Sequence, residues 1–271
     1  MIPEKLFGIV GFPLGHSMSP GLHNWGFEEI GFPGVYLAWQ EPEEKLADFF
    51  NAVRTLNIGG GNITIPHKVA ALKHMDEVST RAEDIGAINT FYWKNGKLCG
   101  ENTDVIGFMA PLKGKKFKHA LILGAGGVSR AVIAGLKEMG VPEITIANRT
   151  KSKADALAKE FGIKAISWED RMMPEADLIV NATSQGMKGA QVDMTPYDAE
   201  AFKGRKGLVY DIVYNPLETR LVREAKEAGW DVESGLAMFV EQARAAFYLW
   251  TGGQEMPREQ AFQRVKTLLG L

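Results

Sequence analysis

The chain has 271 residues, of which 45% are hydrophobic and 24% charged, and carries a formal net charge of -2. That length supports one or two well-cored domains, and a charge this close to neutral gives no electrostatic reason to bind nucleic acid or an anionic membrane, so a small-molecule partner is expected. Cys99 is the single cysteine, which excludes an intramolecular disulfide and a thiolate metal cluster and fits a reducing, cytoplasmic compartment.

The apolar stretch over 6–14 is interrupted by Gly8, Gly11 and Pro13, and no small-residue cleavage pattern follows it, so it reads as a strand and not as a secretion signal. Short β-like runs then alternate with amphipathic helical stretches, the mark of βαβ units and a mostly parallel sheet: an α/β protein. In the first hundred residues, strands are expected at 6–10, 35–39 and 58–64, with a hairpin over 88–98 turned at Asn95-Gly96. Ser19-Pro20 predicts a helix opening with Ser19 as cap and Pro20 at the first helical position; the next helix spans about residues 43–56.

Polar clusters in this first module exceed what a fold alone requires. His16-Ser17-Met18-Ser19-Pro20 places two hydroxyls near a strand–helix junction, where open α/β sheets bind ligands. Capping accounts for Ser19, whereas Ser17 has no equally good local explanation. Pro66 predicts a helix start that puts Lys68 in the first turn, where a cation opposes the helix dipole. Lys68 is then either a solvated lysine or an ammonium with another task. Asp104 reads as the N-cap of a helical run over 105–112, or as the partner of Lys68. Such a pair would offer one charged acceptor and one transferable proton, as a hydroxyl–carbonyl interconversion beside a hydride carrier needs. Asn89-Thr90 adds an amide and a hydroxyl suited to a polyhydroxylated ligand.

The second module runs over 106–234, with strands expected at 120–123, 143–147, 178–182 and 208–212 and helices closed by Gly140, Gly162 and Gly229. Between its first strand and first helix stands Gly124-Ala125-Gly126-Gly127-Val128-Ser129. Glycines there allow a tight turn and close approach of backbone N–H groups to a dinucleotide pyrophosphate at the helix N-terminus, with Ser129 in place of the usual third glycine. After the second strand comes Asn148-Arg149-Thr150-Lys151-Ser152-Lys153, without the carboxylate that would take a ribose 2′-hydroxyl. Arg149 and Lys153 suit a 2′-phosphate, hence NADP, or they form a solvated helix start capped by Thr150. Helices over 236–250 and 257–269 add no strand and are expected to return to the first module, leaving a substrate cleft between two lobes joined near 104–108 and 234–238. The expected domains are 1–105, 106–234 and the returning helices 235–271.

Several stretches together resemble the shikimate dehydrogenases, NADP-dependent enzymes that reduce 3-dehydroshikimate to shikimate in aromatic amino-acid biosynthesis. The resemblance covers nearly the whole chain. It rests on His16 to Pro20 with His23-Asn24, Asn62 to Lys68, Gly86 to Thr90, Gly100 to Asp104, Gly124 to Ala131, Asn148-Arg149-Thr150, Asn181 to Met187, Asp211 to Pro216, and Gly235 to Gln242. It implies a Rossmann-type doubly wound NADP domain and an α/β substrate domain. It further implies Lys68 and Asp104 as the catalytic pair, with Ser17, Ser19, Thr64, Asn89, Tyr214 and Gln242 around shikimate. Gly124, Ala125, Gly126, Gly127 and Val128 would meet the pyrophosphate, and Asn148, Arg149, Thr150 and Lys153 the adenosine phosphate. Thr183, Ser184, Met187, Ile212, Gly235 and Met238 would surround the nicotinamide and its ribose. A monomer or homodimer is implied, with no metal.

One departure is the run Gly59-Gly60-Gly61, expected to loosen the strand before Asn62. His67 is expected to be structural or superficial, because adjacent helical residues cannot face the same way as Lys68. His16 and His23 lie too far from any carboxylate cluster to suggest a metal, and Met109, Met172 and Met173 are expected to fill gaps or loop surface. Two other readings stay open: a broader quinate and shikimate dehydrogenase using NAD, and a non-catalytic sensor of shikimate-like ligands.

Overall fold

In a computed structural model describing residues 2–15 and 17–271, the expected alternation of strand and helix is present. His16 lies outside the described residues. The chain divides into two compact units: the described residues through Gly107 together with Val240–Leu271, and Phe108–Phe239.

The first unit contains β1 (Lys5–Gly11), α1 (Ser19–Glu29), β2 (Gly34–Gln40), α2 (Leu46–Thr55), β3 (Gly60–Ile63), β4 (Glu77–Val78), α3 (Thr80–Ile85), β5 (Thr90–Lys94) and β6 (Lys97–Glu101), and it opens α4 (Asp104–Met109). Its sheet has the order β2-β1-β3-β5-β6-β4. β1 pairs in parallel with β2 and β3, whereas β5 runs antiparallel to β3 and β6. The hairpin turns as expected at Asn95 and Gly96, whose φ angles of 53° and 75° fit the left-handed positions of a tight hairpin turn. Its strands extend to Glu101, so Thr90 on β5 faces both Asn62 on β3 and Glu101 on β6.

The glycine run tightens this sheet instead of loosening it. A Cβ on Gly61 would stand 2.3 Å from the Gly8 carbonyl oxygen, and one on Gly60 would stand 2.4 Å from the Trp250 ring. The missing side chains let a neighbouring strand and an indole close against β3, while the Trp250 indole N–H donates to the Phe91 carbonyl at 3.0 Å.

Two helix starts differ from expectation. Ser19 is the first residue of α1, Met18 occupies the cap position, and the Ser17 hydroxyl accepts from the Ser19 amide at 3.3 Å. The helix start thus has no side-chain cap, and the Ser17 hydroxyl supports it only through the amide of its first residue. Asp104 likewise begins α4 instead of capping it: the Thr103 carbonyl accepts from Gly107 N at 3.0 Å, and the Asp104 carboxylate is used elsewhere.

The second unit contains β7 (His119–Leu123), α5 (Gly127–Glu138), β8 (Glu143–Ala147), α6 (Lys151–Phe161), β9 (Lys164–Ile166), β10 (Leu178–Asn181), β11 (Leu208–Asp211), α7 (Arg220–Glu227), β12 (Asp231–Ser234) and the start of α8 (Gly235–Trp250). All six strands are parallel in the order β12-β11-β10-β7-β8-β9, so the winding direction reverses between β7 and β10. The four expected strands are present, and β9 and β12 extend the sheet at its two edges. Side-chain alternation explains the double layer. Ala120 and Ile122 pack with Val132, Leu136, Leu157 and Phe161 on one face, and Leu121 and Leu123 with Phe202, Leu221 and Ala225 on the other. Gly140, Gly162 and Gly229 sit just past the ends of α5, α6 and α7 with φ of 73°, 65° and 82°, as helix-terminating glycines should. Thr150 occupies the cap position of α6 without a side-chain capping bond.

Between Phe239 and Val240, within α8, the chain re-enters the first unit, which α9 (Arg258–Leu269) completes. Met109 and Met172 pack against the cores of the second unit and Met173 is exposed, as expected of gap-filling and loop methionines. Among the described residues, no helix is long and apolar enough to cross a membrane.

Candidate active site

Lys68 Nζ lies 2.5 Å from Asp104 Oδ2, with the two side chains only 14% and 10% exposed. They reach one another from a turn after β3 and from the start of α4. The helix expected from Pro66 does not form. Residues 65–69 are a turn leading into a 3₁₀ segment, Ala70–His74, and tertiary bonds hold it: the Ile88 amide donates to the Lys68 carbonyl at 2.9 Å. His67 is fully buried and its Nε2 donates to the Glu41 carbonyl at 2.7 Å, a structural role that turns it away from Lys68. The expected dipole conflict at Lys68 is therefore absent, and its ammonium is engaged by a carboxylate instead.

Asn89 is the hub that orients this pair. Its Oδ1 accepts from the Thr103 amide at 2.7 Å, which identifies the oxygen and sends Nδ2 toward Asp104 Oδ1 at 2.8 Å. The Thr90 hydroxyl also donates to Asn89 Oδ1 at 3.0 Å. One carboxylate oxygen is thus held by an amide while the other faces the ammonium, an arrangement that fixes both heads in a mostly dry setting.

A second layer supports the hub. The Tyr36 hydroxyl donates to Asn62 Oδ1 at 2.7 Å, and Asn62 Nδ2 reaches the Thr90 hydroxyl at 3.2 Å and the Asn89 carbonyl at 3.3 Å. Burial pushes the Tyr36 phenol well above its usual pKa, so it remains a neutral donor. Asn24 grips the Tyr36 backbone through both its amide groups, at 2.8 and 2.9 Å, and the His23 ring stacks on the Tyr36 ring with centroids 4.6 Å apart. Burial lowers the His23 pKa to about 3 and keeps the imidazole uncharged. Tyr36 gives no signal in the sequence because it lies in a run like that of any ordinary strand, whereas Thr103 stands within the 100–104 motif without a role that the motif itself assigns.

Of the other expected substrate residues in the first unit, Ser17 and Thr64 are half-buried and Ser19 is buried, Thr64 following β3 with its amide on the Val10 carbonyl at 2.9 Å. Gln242 is half-buried on α8. Tyr214 belongs to the second unit, where its ring lies 4.6 Å from that of Phe239 and burial raises its phenol pKa.

The glycine loop of the second unit has the form an anion cradle needs. Gly124 has φ of 109°, and a Cβ there would stand 2.8 Å from the Ala182 carbonyl oxygen, so only glycine fits where the loop passes β10. Ser129 is fully buried; its hydroxyl donates to the Gly124 carbonyl at 2.9 Å and accepts from the Gly126 amide at 3.1 Å. This hydroxyl closes the loop where the usual third glycine would only give packing room. Asn148 accepts from the Ala125 amide at 3.1 Å and donates to the Thr150 carbonyl at 2.9 Å, linking the loop to the end of β8. Helix geometry leaves the Gly127 and Val128 amides without intrahelical partners, and space is open for 4 Å around the Cβ positions of Gly126 and Gly127.

Beyond β8, Arg149 and Lys153 are exposed and have no carboxylate partner among the described residues, whereas Lys151 is occupied by Asp155 at 2.5 Å. The first turn of α6 contains no acidic residue. Two free cations flanking a helix start suit an additional phosphate.

Thr183 follows β10 with its amide and hydroxyl both on Asn181 Oδ1, at 2.9 and 2.7 Å. Ser184 is exposed and donates to Gln191 Oε1 at 2.9 Å; Met187 is exposed. Ile212 is partly buried against the core that includes Met238, which is itself buried. Gly235 passes so close to the Ile212 carbonyl that a Cβ would stand 2.0 Å from its oxygen. Among the described residues, no group of three or more His, Cys, Asp or Glu side chains could hold a metal ion.

Comparison with known proteins gives concordant matches along the chain. Family models match residues 9–91 as a shikimate dehydrogenase substrate binding domain, residues 110–213 as shikimate/quinate 5-dehydrogenase, and residues 235–265 as a shikimate 5′-dehydrogenase C-terminal domain. Shikimate dehydrogenase (NADP(+)) from Maridesulfovibrio salexigens is 50% identical over 252 residues, covering 92% of this chain and 92% of its own. The crystal structure of shikimate 5-dehydrogenase from Thermus thermophilus in complex with NADP(H) and shikimate has a TM-score of 0.87 at 41% identity, covering 97% of this chain and 99% of that one. Quinate dehydrogenase from Corynebacterium glutamicum in complex with NAD has a TM-score of 0.88 at 30% identity, covering 97% and 99%.

Proposed function

The chain belongs to the shikimate dehydrogenase family, and we propose that it catalyses the reversible NADPH-dependent reduction of 3-dehydroshikimate to shikimate, with Lys68 and Asp104 as its proton-transfer pair. The observation that carries this reading is the Lys68–Asp104 contact of 2.5 Å, oriented by Asn89.

When bound, NADPH supplies the hydride that the ring carbonyl carbon takes up. The Lys68 ammonium donates a proton to the carbonyl oxygen as that oxygen becomes a hydroxyl, and in the reverse direction neutral Lys68 removes it. Asp104 holds the ammonium through Oδ2 and uses its remaining lone pairs to accept a neighbouring substrate hydroxyl. Asn89 keeps the carboxylate from turning. Ser17, Ser19, Thr64, Asn89, Tyr214 and Gln242 hold the substrate carboxylate and hydroxyls, whose desolvation requires such partners.

On the cofactor side, the backbone over Gly124 to Val128 receives the pyrophosphate and Asn148, Arg149, Thr150 and Lys153 the adenosine with its 2′-phosphate. Thr183, Ser184, Met187, Ile212, Gly235 and Met238 bound the nicotinamide half. The absence of a carboxylate after β8 favours NADP over NAD. The pairing of Lys68 with Asp104 favours an enzyme over a ligand sensor. The proposed setting is a cytoplasmic monomer or homodimer with no nucleic-acid or membrane partner.

The test is a steady-state assay of purified protein with shikimate and quinate, each paired with NADP and NAD, followed by absorbance of the reduced nicotinamide. Shikimate with NADP should give the highest kcat/KM. Preference for quinate or NAD would favour the broader dehydrogenase, and no turnover with any pair would favour the sensor.

A further inference from the structure

A buried carboxylate that no step of this reaction uses ends β11. Asp211 is fully buried, and no cation pairs with it among the described residues. Its Oδ1 accepts from Asn181 Nδ2 at 2.9 Å and from the Val213 amide at 3.0 Å, and its Oδ2 accepts from the Thr219 hydroxyl at 2.6 Å. Asn181, at the end of β10, extends the connection: its Oδ1 takes both donors of Thr183, and its Nδ2 also reaches the Gln185 carbonyl at 3.1 Å. Thr219 caps α7, accepting from the Val222 amide at 3.3 Å, and a Cβ on Gly186 would stand 3.0 Å from the Thr219 side chain. One carboxylate therefore joins two strand ends, a helix start and the turn that follows β10.

Burying a carboxylate with no cation beside it is costly, and an apolar side chain here would leave the three donors that face it unpaired, which points to a role in holding the segments that carry those donors. Sheet order indicates that role. Strand order reverses between β7 and β10, where a dinucleotide would bind; with its adenosine end toward Arg149 and Lys153 on the β8 side, its other half would lie over the ends of β10 and β11. We propose that Asp211, acting through Asn181, is a positioning residue for the nicotinamide half of the cofactor. It shapes the 183–187 turn and the 212–214 segment without touching either ligand. This inference rests on the reading that NADP is the cofactor.

The experiment compares direct binding of two probes, NADP and adenosine 2′,5′-bisphosphate, to wild type and Asp211→Asn by isothermal titration calorimetry. The bisphosphate carries the adenosine and its 2′-phosphate but no nicotinamide. Asp211→Asn should weaken NADP about fivefold or more, the worth of one lost hydrogen bond, and leave the bisphosphate unchanged. Unchanged NADP affinity, or parallel loss of both probes, would overturn the proposal. If Asp211→Asn does not fold, Thr219→Val, which removes one donor to the same carboxylate, carries the comparison with the same expected and contrary results. A wild type that binds neither probe would instead overturn the cofactor reading itself.

Discussion

Lys68 and Asp104 stand 36 residues apart in sequence, yet their charged heads lie 2.5 Å apart because a turn after β3 and the start of α4 meet beside Asn89. Neither residue occupies the helical position its local sequence suggests. Lys68 sits in a turn and Asp104 gives its carboxylate to a distant ammonium instead of to its own helix end.

Replacing Asp104 by Asn keeps the shape of the side chain and removes the charge that holds Lys68. Turnover should fall about 100-fold, in the range of lost acid–base help, and the KM for shikimate should rise because the acceptor for a substrate hydroxyl is weakened. Kinetics at saturating NADP measure both; a change in KM alone would reduce Asp104 to a binding role.

Arg149 is exposed beside the start of α6, with no carboxylate partner among the described residues. Arg149→Ala should reduce the preference for NADP over NAD by roughly 1–3 kcal/mol, the worth of a lost charged contact, without altering the KM for shikimate. The ratio of kcat/KM with the two cofactors reads this directly, and an unchanged ratio would assign the 2′-phosphate to other groups.

Ser129 closes the glycine loop through two hydrogen bonds from a fully buried position. Ser129→Ala leaves the Gly124 carbonyl and the Gly126 amide without that partner, so stability should fall by about 1–3 kcal/mol. Urea denaturation checks the loss, which a water filling the vacated place would lessen.

Burial raises the Asp211 pKa from 3.8 to about 6. A carboxyl group whose folded pKa lies above its unfolded value stabilises the fold fully when protonated in both states, and that contribution disappears as pH rises through the folded pKa. The stability of wild type relative to Asp211→Asn should therefore decline as pH rises from 3.8 to about 6 and then level off. Unfolding curves of both proteins at several pH values measure the slope; a difference that stays constant with pH would show that Asp211 does not titrate in this window.

Much of the architecture was legible because its signals are local. β7 carries an unbroken apolar run over 120–123 and β8 sets Ile144, Ile146 and Ala147 around a single buried Thr145, and Asn95-Gly96 and the terminal glycines dictate backbone conformations that few other residues adopt. β12, with sequence Asp-Val-Glu-Ser, and the short β9 are half-exposed edge strands without an apolar run, so only pairing with a neighbour reveals them. The region after Pro66 looked helical because proline suits a helix start, but bonds from His67 to Glu41 and from Ile88 to Lys68 hold it as a turn. The glycines before Asn62 seemed to weaken a strand because their cost is local, whereas Gly8 and Trp250, which need the space, are remote in sequence. Asn89, Lys68 and Asp104 could be singled out as residue types, but the amide orientation that joins them depends on Thr103 and on packing across β3, β5 and β6.

The most direct measurement is the rate of shikimate oxidation by NADP for wild type and Lys68→Ala side by side, with folding checked by circular dichroism. Wild type should turn over, and the variant should be slower by about 100-fold or more with a milder change in shikimate affinity. Equal rates for the two proteins would contradict the assignment of proton transfer to Lys68.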